Sequence, residues 1–249
     1  ESGMDTIIRR LGAHRIRVVE MPKGMDVADV VKKFGADELK RRIREAREPK
    51  IRSVLSHADV LDRLMAMGEE KWLPTPWPGV TRILAGGTLP GHLVSIIAPP
   101  KIGKTSTCLE WANYHAAVCD TPSLVWCVEM PAHKLGSMVV SIQTGSTRRP
   151  SKAEIYCAKQ KFSSVPIYYG FSPRIKPEVL IQTFRDCYMR FGVRSFWFDN
   201  VHFAVRGSDD MAKDIGVWIK NLKEFSMEYM SHVFAVGQPN KVGIKSGAN

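Results

Sequence analysis

Beyond Gly91 the sequence alternates short, almost continuously apolar runs with longer stretches of helical periodicity, and this alternation constrains the fold more than any other feature. The runs "HLVSIIA", "SLVWCVEM", "VPIYYG", "VRSFWFDN" and "HVFAVGQ" are short and rich in β-branched and aromatic residues, so they are predicted strands, the first of them buried. Between them, "KTSTCLEWANYHAAV", "KPEVLIQTFRDCYMRFG" and "MAKDIGVWIKNLKEFSMEYM" read as helices. Strands that are apolar at nearly every position must be covered on both faces. Strand-helix-strand order also demands parallel pairing, so an α/β fold with a mainly parallel sheet is expected.

The front of the chain is organised differently. Asp5 to Leu11 has helical spacing, "RIRVVEMP" alternates like a strand, and "GMDVADVVKKFG" and "ADELKRRIREAR" are helical, the latter with Leu39, Ile43 and Ala46 on one face. Ser56 is a fitting N-cap for "HADVLDRLMAMGEE", whose Val60, Leu61, Leu64 and Met65 form a narrow apolar stripe suited to a linker helix that docks on something. The cluster of Pro and Gly in "WLPTPWPGVTRIL" and "AGGTLPG" marks the entrance to a new domain. The expected division is therefore 1–48, a linker at 49–77, and a core from 78 to 249.

At 249 residues and 44% hydrophobic, the chain can bury one full core and carry a smaller second unit. The absence of an initiator Met and the amphipathic pattern at the very start predict a piece of something longer. A formal charge of +11 suits a polyanionic partner. Cys108, Cys119, Cys127, Cys157 and Cys187 form no C-x-x-C pair, which argues against a zinc site or disulfide framework and for reduced core thiols. No run approaches the roughly 20 apolar residues of a membrane span, so a soluble, intracellular protein without a membrane partner is expected.

Chemistry enters at the turn after the first core strand. Ala98, Pro99, Pro100, Lys101, Ile102, Gly103, Lys104 and Thr105, with Ser106 following, stand where a phosphate-binding loop must stand, between a strand and a helix. Backbone N–H groups at the helix start cradle phosphate oxygens, Lys104 reaches the β and γ phosphates, and the Thr105 hydroxyl binds Mg²⁺. Ala98 replaces the first Gly of G-x-x-x-x-G-K-[ST]; a small residue still permits the turn. Hydrolysis further needs a carboxylate for the metal and a group that activates water. Asp199, ending "SFWFD", is the candidate for the first, and Glu129, ending "LVWCVE", for the second. Gln238 ends the last strand as a candidate sensor of the γ phosphate. Loops carrying Arg206, Lys241 and Lys245 are candidates for contacting a nucleic-acid backbone.

The order "APPKIGKT", "WCVEM", "FWFDNVHF", "VFAVGQPNK" resembles the successive motifs of the hexameric DnaB-like replicative helicases, most closely those of phage primase-helicases and the mitochondrial helicase Twinkle. The resemblance covers nearly all of residues 91 to 241. It implies a RecA-like ATPase core in which Lys104 and Thr105 form the Walker A site, Glu129 is the catalytic base, Asp199 the Walker B carboxylate and Gln238 the polar sensor. "QPNK" is a variant of the family's sensor segment. The implied activity is an NTP-dependent 5′–3′ DNA helicase using ATP or another NTP with Mg²⁺. The implied partners are single-stranded DNA, further copies in a homo-hexamer and a replication polymerase, in a phage-infected host cytoplasm or a mitochondrial matrix.

Residues 1–48 look like the end of a toprim domain, the metal-binding unit of primases. Its D-x-D pair is missing, and Asp26 and Asp29 alone survive from its pattern, so no priming is expected of this chain. Residues 49–77 look like the linker whose helix packs on a neighbouring subunit. In that family an arginine finger comes from beyond the sensor strand, so weak ATPase is expected of a chain ending at Asn249. Two other readings keep the same core: a RecA-like strand-exchange ATPase forming filaments, and an initiator or loader module that uses nucleotide only as a structural ligand.

Overall fold

The computed structural model describes residues 6–7, 10–12, 15–48, 55–66, 71–146, 149–172 and 175–239. The chain divides into two compact units, Glu1–Glu69 and Glu70–Asn249.

In the first unit, α1 (Val27–Phe34) and α2 (Ala36–Arg44) are separated by Gly35. Asp26 accepts from the Asp29 N–H at 2.8 Å while the Asp29 carboxylate accepts from the Asp26 N–H at 3.2 Å, a reciprocal capping box. The two acids therefore serve the start of α1. Val30 is fully buried, and of the apolar face of α2 and the turn after it Ala46 is buried whereas Ile43 is 54% exposed. The predicted strand "RIRVVEMP" is reduced to an isolated antiparallel bridge between Val18 and Arg47. One bridge supplies too few ladder bonds to hold an extended run against solvent. Helix α3 (His57–Ala66) begins as expected at Ser56, which exchanges hydrogen bonds with Asp59, and leaves Val60, Leu61, Leu64 and Met65 exposed.

The second unit opens with the short helix α4 (Pro78–Ile83) and then builds β1 (Leu93–Ile97), α5 (Lys104–Ala117), β2 (Ser123–Cys127), α6 (Ala132–Thr144), α7 (Lys152–Phe162), β3 (Ile167–Phe171), α8 (Pro177–Phe191), β4 (Ser195–Asp199), α9 (Val201–Ala204), α10 (Met211–Glu228) and β5 (His232–Gly237). The five strands form one sheet in the order β1-β5-β4-β2-β3, and every neighbouring pair is parallel. The strands fall where the apolar runs predict them. Helices α6 and α7, absent from that prediction, occupy the long connection from β2 to β3, and Ser151 starts α7 with a capping box to Glu154.

The core lies in two layers because side chains alternate along each strand. Leu124, Trp126, Phe196, Phe198, Val233 and Ala235 point to one face and pack with Leu180, Phe184, Trp218, Leu222 and Phe225 of α8 and α10. Val125, Cys127, Trp197, Phe234 and Val236 point to the other and meet Cys108, Leu109, Trp111 and Ala112 of α5 and Leu135 of α6. Trp197 and Phe234, register partners on β4 and β5, stack at 3.7 Å. Strand β1, expected to be buried, lies at the sheet edge, and Ile97 is 63% exposed. Cys108 and Cys127 are core thiols as expected, but Cys157 is exposed on α7. Among the described residues no helix is long and apolar enough to cross a membrane.

Candidate active site

Strand register gathers the predicted site. Ile97 at the end of β1 pairs with Gly237 on β5, and Asp199 at the end of β4 lies level with Val236 on one side and Cys127 on the other. The segments leaving β1, β5, β4 and β2 thus emerge side by side along one edge of the sheet. Carboxyl ends of parallel strands are where an open α/β sheet exposes unpaired backbone and helix N-termini, and so where it can bind a ligand.

Ala98 continues β1 with a 3.4 Å bond to the Gly237 carbonyl, and the chain then turns through Lys101 (φ 64°) and Gly103 (φ 94°) into α5. Gly103 caps α5 from the left-handed region, which a residue without Cβ adopts at little cost, and it leaves the first N–H groups of the helix facing the loop. Lys104 Nζ donates to the Pro99 carbonyl at 2.7 Å, across the span of the loop. The Thr105 hydroxyl donates to Asp199 Oδ2 at 2.6 Å.

Asp199 is 1% exposed, and its Oδ1 is buried with no partner among the described residues. Burial holds its carboxyl above the usual range, opposed by the Thr105 hydrogen bond, with Glu129 adding to the rise and Lys104 opposing it. Glu129 and Lys104 thus both lie within electrostatic reach of Asp199. Glu129 stands two residues beyond β2, held there by the bond from the Val128 N–H to the Asp199 carbonyl at 2.9 Å. Gln238 follows β5 directly, and its backbone N–H donates to His202 Nδ1 at 3.0 Å.

Lys104, Thr105, Glu129, Asp199 and Gln238 are therefore brought to one edge. Arg206 is exposed in the turn after α9, with Phe203 beneath its guanidinium at 5.8 Å, and lines a cleft with Lys176, Glu178 and Asp214. Lys241 and Lys245 lie outside the described residues. A larger cavity of about 760 Å³ borders the first turn of α5 at Ser106 and is lined mainly by Met130 and by α6 residues such as His133, Lys134 and Met138. It adjoins the loop without including Lys104 or Thr105.

Two site residues were missed from the sequence. Asn200 Nδ2 donates to Glu129 Oε2 at 2.8 Å, and His202 receives the Gln238 N–H. Since Nδ1 of His202 accepts, its proton sits on Nε2; burial, with Lys104 adding to it, holds this ring below the ordinary histidine range. The available signal was adjacency to Asp199 in "FWFDNVHF".

A family model described as AAA domain matches residues 61–243. The chain belongs to the AAA domain family. Among curated proteins, this AAA domain chain is 20% identical over 169 residues to the replicative DNA helicase DnaB of Leifsonia xyli subsp. xyli (strain CTCB07), a match covering 64% of this chain and 37% of that protein. The chain thus spans well under half the length of that relative. Among solved structures, a DnaB-like replicative helicase described with its interactions with primase superposes with a TM-score of 0.59 at 17% identity, covering 86% of this chain and 55% of that one. A KaiC-like protein from Pyrococcus horikoshii OT3 gives a TM-score of 0.52 at 13% identity, covering 69% and 72%. The fold is the α/β fold with a parallel sheet expected from the sequence, these solved structures share it, and the DnaB protein is similar to this chain over those 169 residues.

Proposed function

We propose that this chain is the nucleotide-hydrolysing core of a replicative DNA helicase, which moves 5′ to 3′ along single-stranded DNA as a ring of six copies with NTP bound between subunits. The observation that carries the proposal is the Thr105–Asp199 hydrogen bond at the tip of the phosphate loop, with Glu129 bonded to the adjoining Asn200. A hydroxyl and a buried carboxylate with one unpartnered oxygen make the donor set of a hard divalent cation. Thr105 and Asp199 would hold Mg²⁺, which when bound neutralises charge on the phosphates. Lys104 and the N-terminal amides of α5 bind and orient the triphosphate of ATP or another NTP, Glu129 takes a proton from the attacking water, and Gln238 senses the γ phosphate.

The DnaB relative is named a replicative DNA helicase, which favours this reading over a strand-exchange ATPase or a loader. We further assign 1–48 to the end of a toprim domain, 49–77 to a linker and 78–249 to the ATPase core. The exposed stripe Val60, Leu61, Leu64 and Met65 supports a linker helix that docks on the neighbouring subunit, as a ring requires. Arg206, together with Lys241 and Lys245, is assigned to the DNA backbone, and a replication polymerase is the assigned partner at the fork. Whether the host compartment is a phage-infected cytoplasm or a mitochondrial matrix is read out by where the full-length protein is found. The test is NTP hydrolysis by the full-length protein, with and without single-stranded DNA. Lys104→Ala is expected to abolish turnover, and retained turnover overturns the assignment.

A further inference from the structure

Glu129 is a long, exposed side chain on the segment beyond β2, and left to itself it samples several rotamers. Asn200, by contrast, is 1% exposed, and both ends of its amide are committed. Its Oδ1 accepts from the Phe203 N–H at 2.7 Å, capping α9, and its Nδ2 donates to Glu129 Oε2 at 2.8 Å. The first bond fixes the second. Turning the amide over would set its NH₂ against the Phe203 N–H and its oxygen against a carboxylate, losing both bonds. Within the same short helix, His202 receives the Gln238 N–H, so α9 is tied to the segment after β2 through its cap Asn200 and to the end of β5 by His202.

We infer that Asn200 is a positioning residue: its amide holds the Glu129 carboxylate in one orientation, with Oε2 occupied and Oε1 assigned to the attacking water. The inference rests on the reading of Glu129 as the base. In the step concerned, the water oxygen bonds to the γ phosphorus as the bridge to the β phosphate breaks. One water proton passes to Glu129 Oε1 and from there to solvent. A base already held in its reactive orientation spares the transition state the cost of ordering it.

The test separates this role from capping. Asn200→Ser and Asn200→Asp both keep an oxygen able to cap α9, and both remove the amide protons that reach Glu129. In the DNA-stimulated full-length protein, each is expected to lower kcat by roughly 10- to 100-fold while KM for the nucleotide stays put. In a Glu129→Gln background, the Ser substitution is expected to cause no further loss in single-turnover rate. Turnover near wild type in both variants, with unchanged thermal unfolding, means that capping is all Asn200 does and overturns the inference. A raised KM with kcat intact also overturns it, because Asn200 would then act on nucleotide binding. If Glu129→Gln itself turns over normally, the reading of Glu129 as base falls, and the inference with it; if Glu129→Gln is inactive and Asn200→Ser is normal, the inference alone falls.

Discussion

Thr105, in the first turn of α5, donates its hydroxyl proton to Asp199 Oδ2 at 2.6 Å although β1, which leads into α5, and β4, which ends at Asp199, are not neighbours. Strand β5 lies between them, so the bond spans the place where Gln238 leaves the sheet. It also partly offsets the burial that pushes the Asp199 carboxyl up. The other carboxylate oxygen is buried with no partner among the described residues, an arrangement that costs stability and that a hard cation would relieve.

Asp199→Asn is therefore expected to stabilise the fold while abolishing hydrolysis. A raised folded pKa means that the folded state binds the proton more tightly, so stability declines as pH rises from 3.8 through the raised value and stays lower above it. At neutral pH the variant should melt higher, on the order of a few degrees. The gap should close below pH 3.8, where the wild-type carboxyl is protonated in both states. Thermal unfolding of both proteins across this range checks it, and equal melting temperatures at pH 7 contradict it.

Two buried histidines tilt the pH dependence the other way. His115 is fully buried, accepts from Trp111 Nε1 at 2.8 Å, and is held down to about 3, chiefly by burial; His232, bonded to Thr88, is held down to about 4. Both stay neutral when folded, whereas unfolded rings protonate near 6.5. Stability is thus full above about 6.5 and is lost as pH falls toward 3 to 4. The urea midpoint should drop with acidification, with a shallower slope in His115→Gln. Comparing slopes cancels the opposing contribution of Asp199.

Gly170 on β3 pairs with Trp126 on β2, and a Cβ placed there would run into the indole ring. Gly170→Ala is expected to cost about 1–3 kcal/mol by overpacking. In a Trp126→Leu background the same change should cost less, and a double-mutant cycle by urea denaturation measures the difference.

Arg206 is exposed in the turn that follows α9. Arg206→Ala is expected to weaken single-stranded DNA binding irrespective of base sequence and to reduce the slope of log K against log salt by about 0.7, the value for one phosphate contact on a single strand. Fluorescence titrations at several salt concentrations measure it, and an unchanged slope removes Arg206 from the interface.

Much of this molecule was legible in its sequence, for identifiable reasons. The strands of the core announced themselves as apolar runs because each is packed between two layers. The strand-to-helix turn proposed to hold phosphate was legible because Gly103-Lys104-Thr105 follows an apolar run and precedes a helical one. Helix α6 was missed although Leu135, Met138, Val139 and Ile142 recur at helical spacing, because Gly136 and the β-branched pair Val139-Val140 blur its local preference. "RIRVVEMP" alternates as a strand does, yet it gains a single bridge, since alternation describes a face without supplying a partner. Asn200 was passed over because an Asn beside an Asp at a strand end has the composition of an ordinary helix cap.

The order of chemical groups along the chain, and their placement at strand ends, came from the sequence, because period and turn chemistry are local and can be read residue by residue. Which strands adjoin was decided by the tertiary structure. Pairing order follows from how helices on both faces bury the sheet, and nothing local states that β5 inserts between β1 and β4. Only that insertion sets Gln238 beside the phosphate loop, and only the closeness of β2 to β4 lets the Asn200 amide meet Glu129.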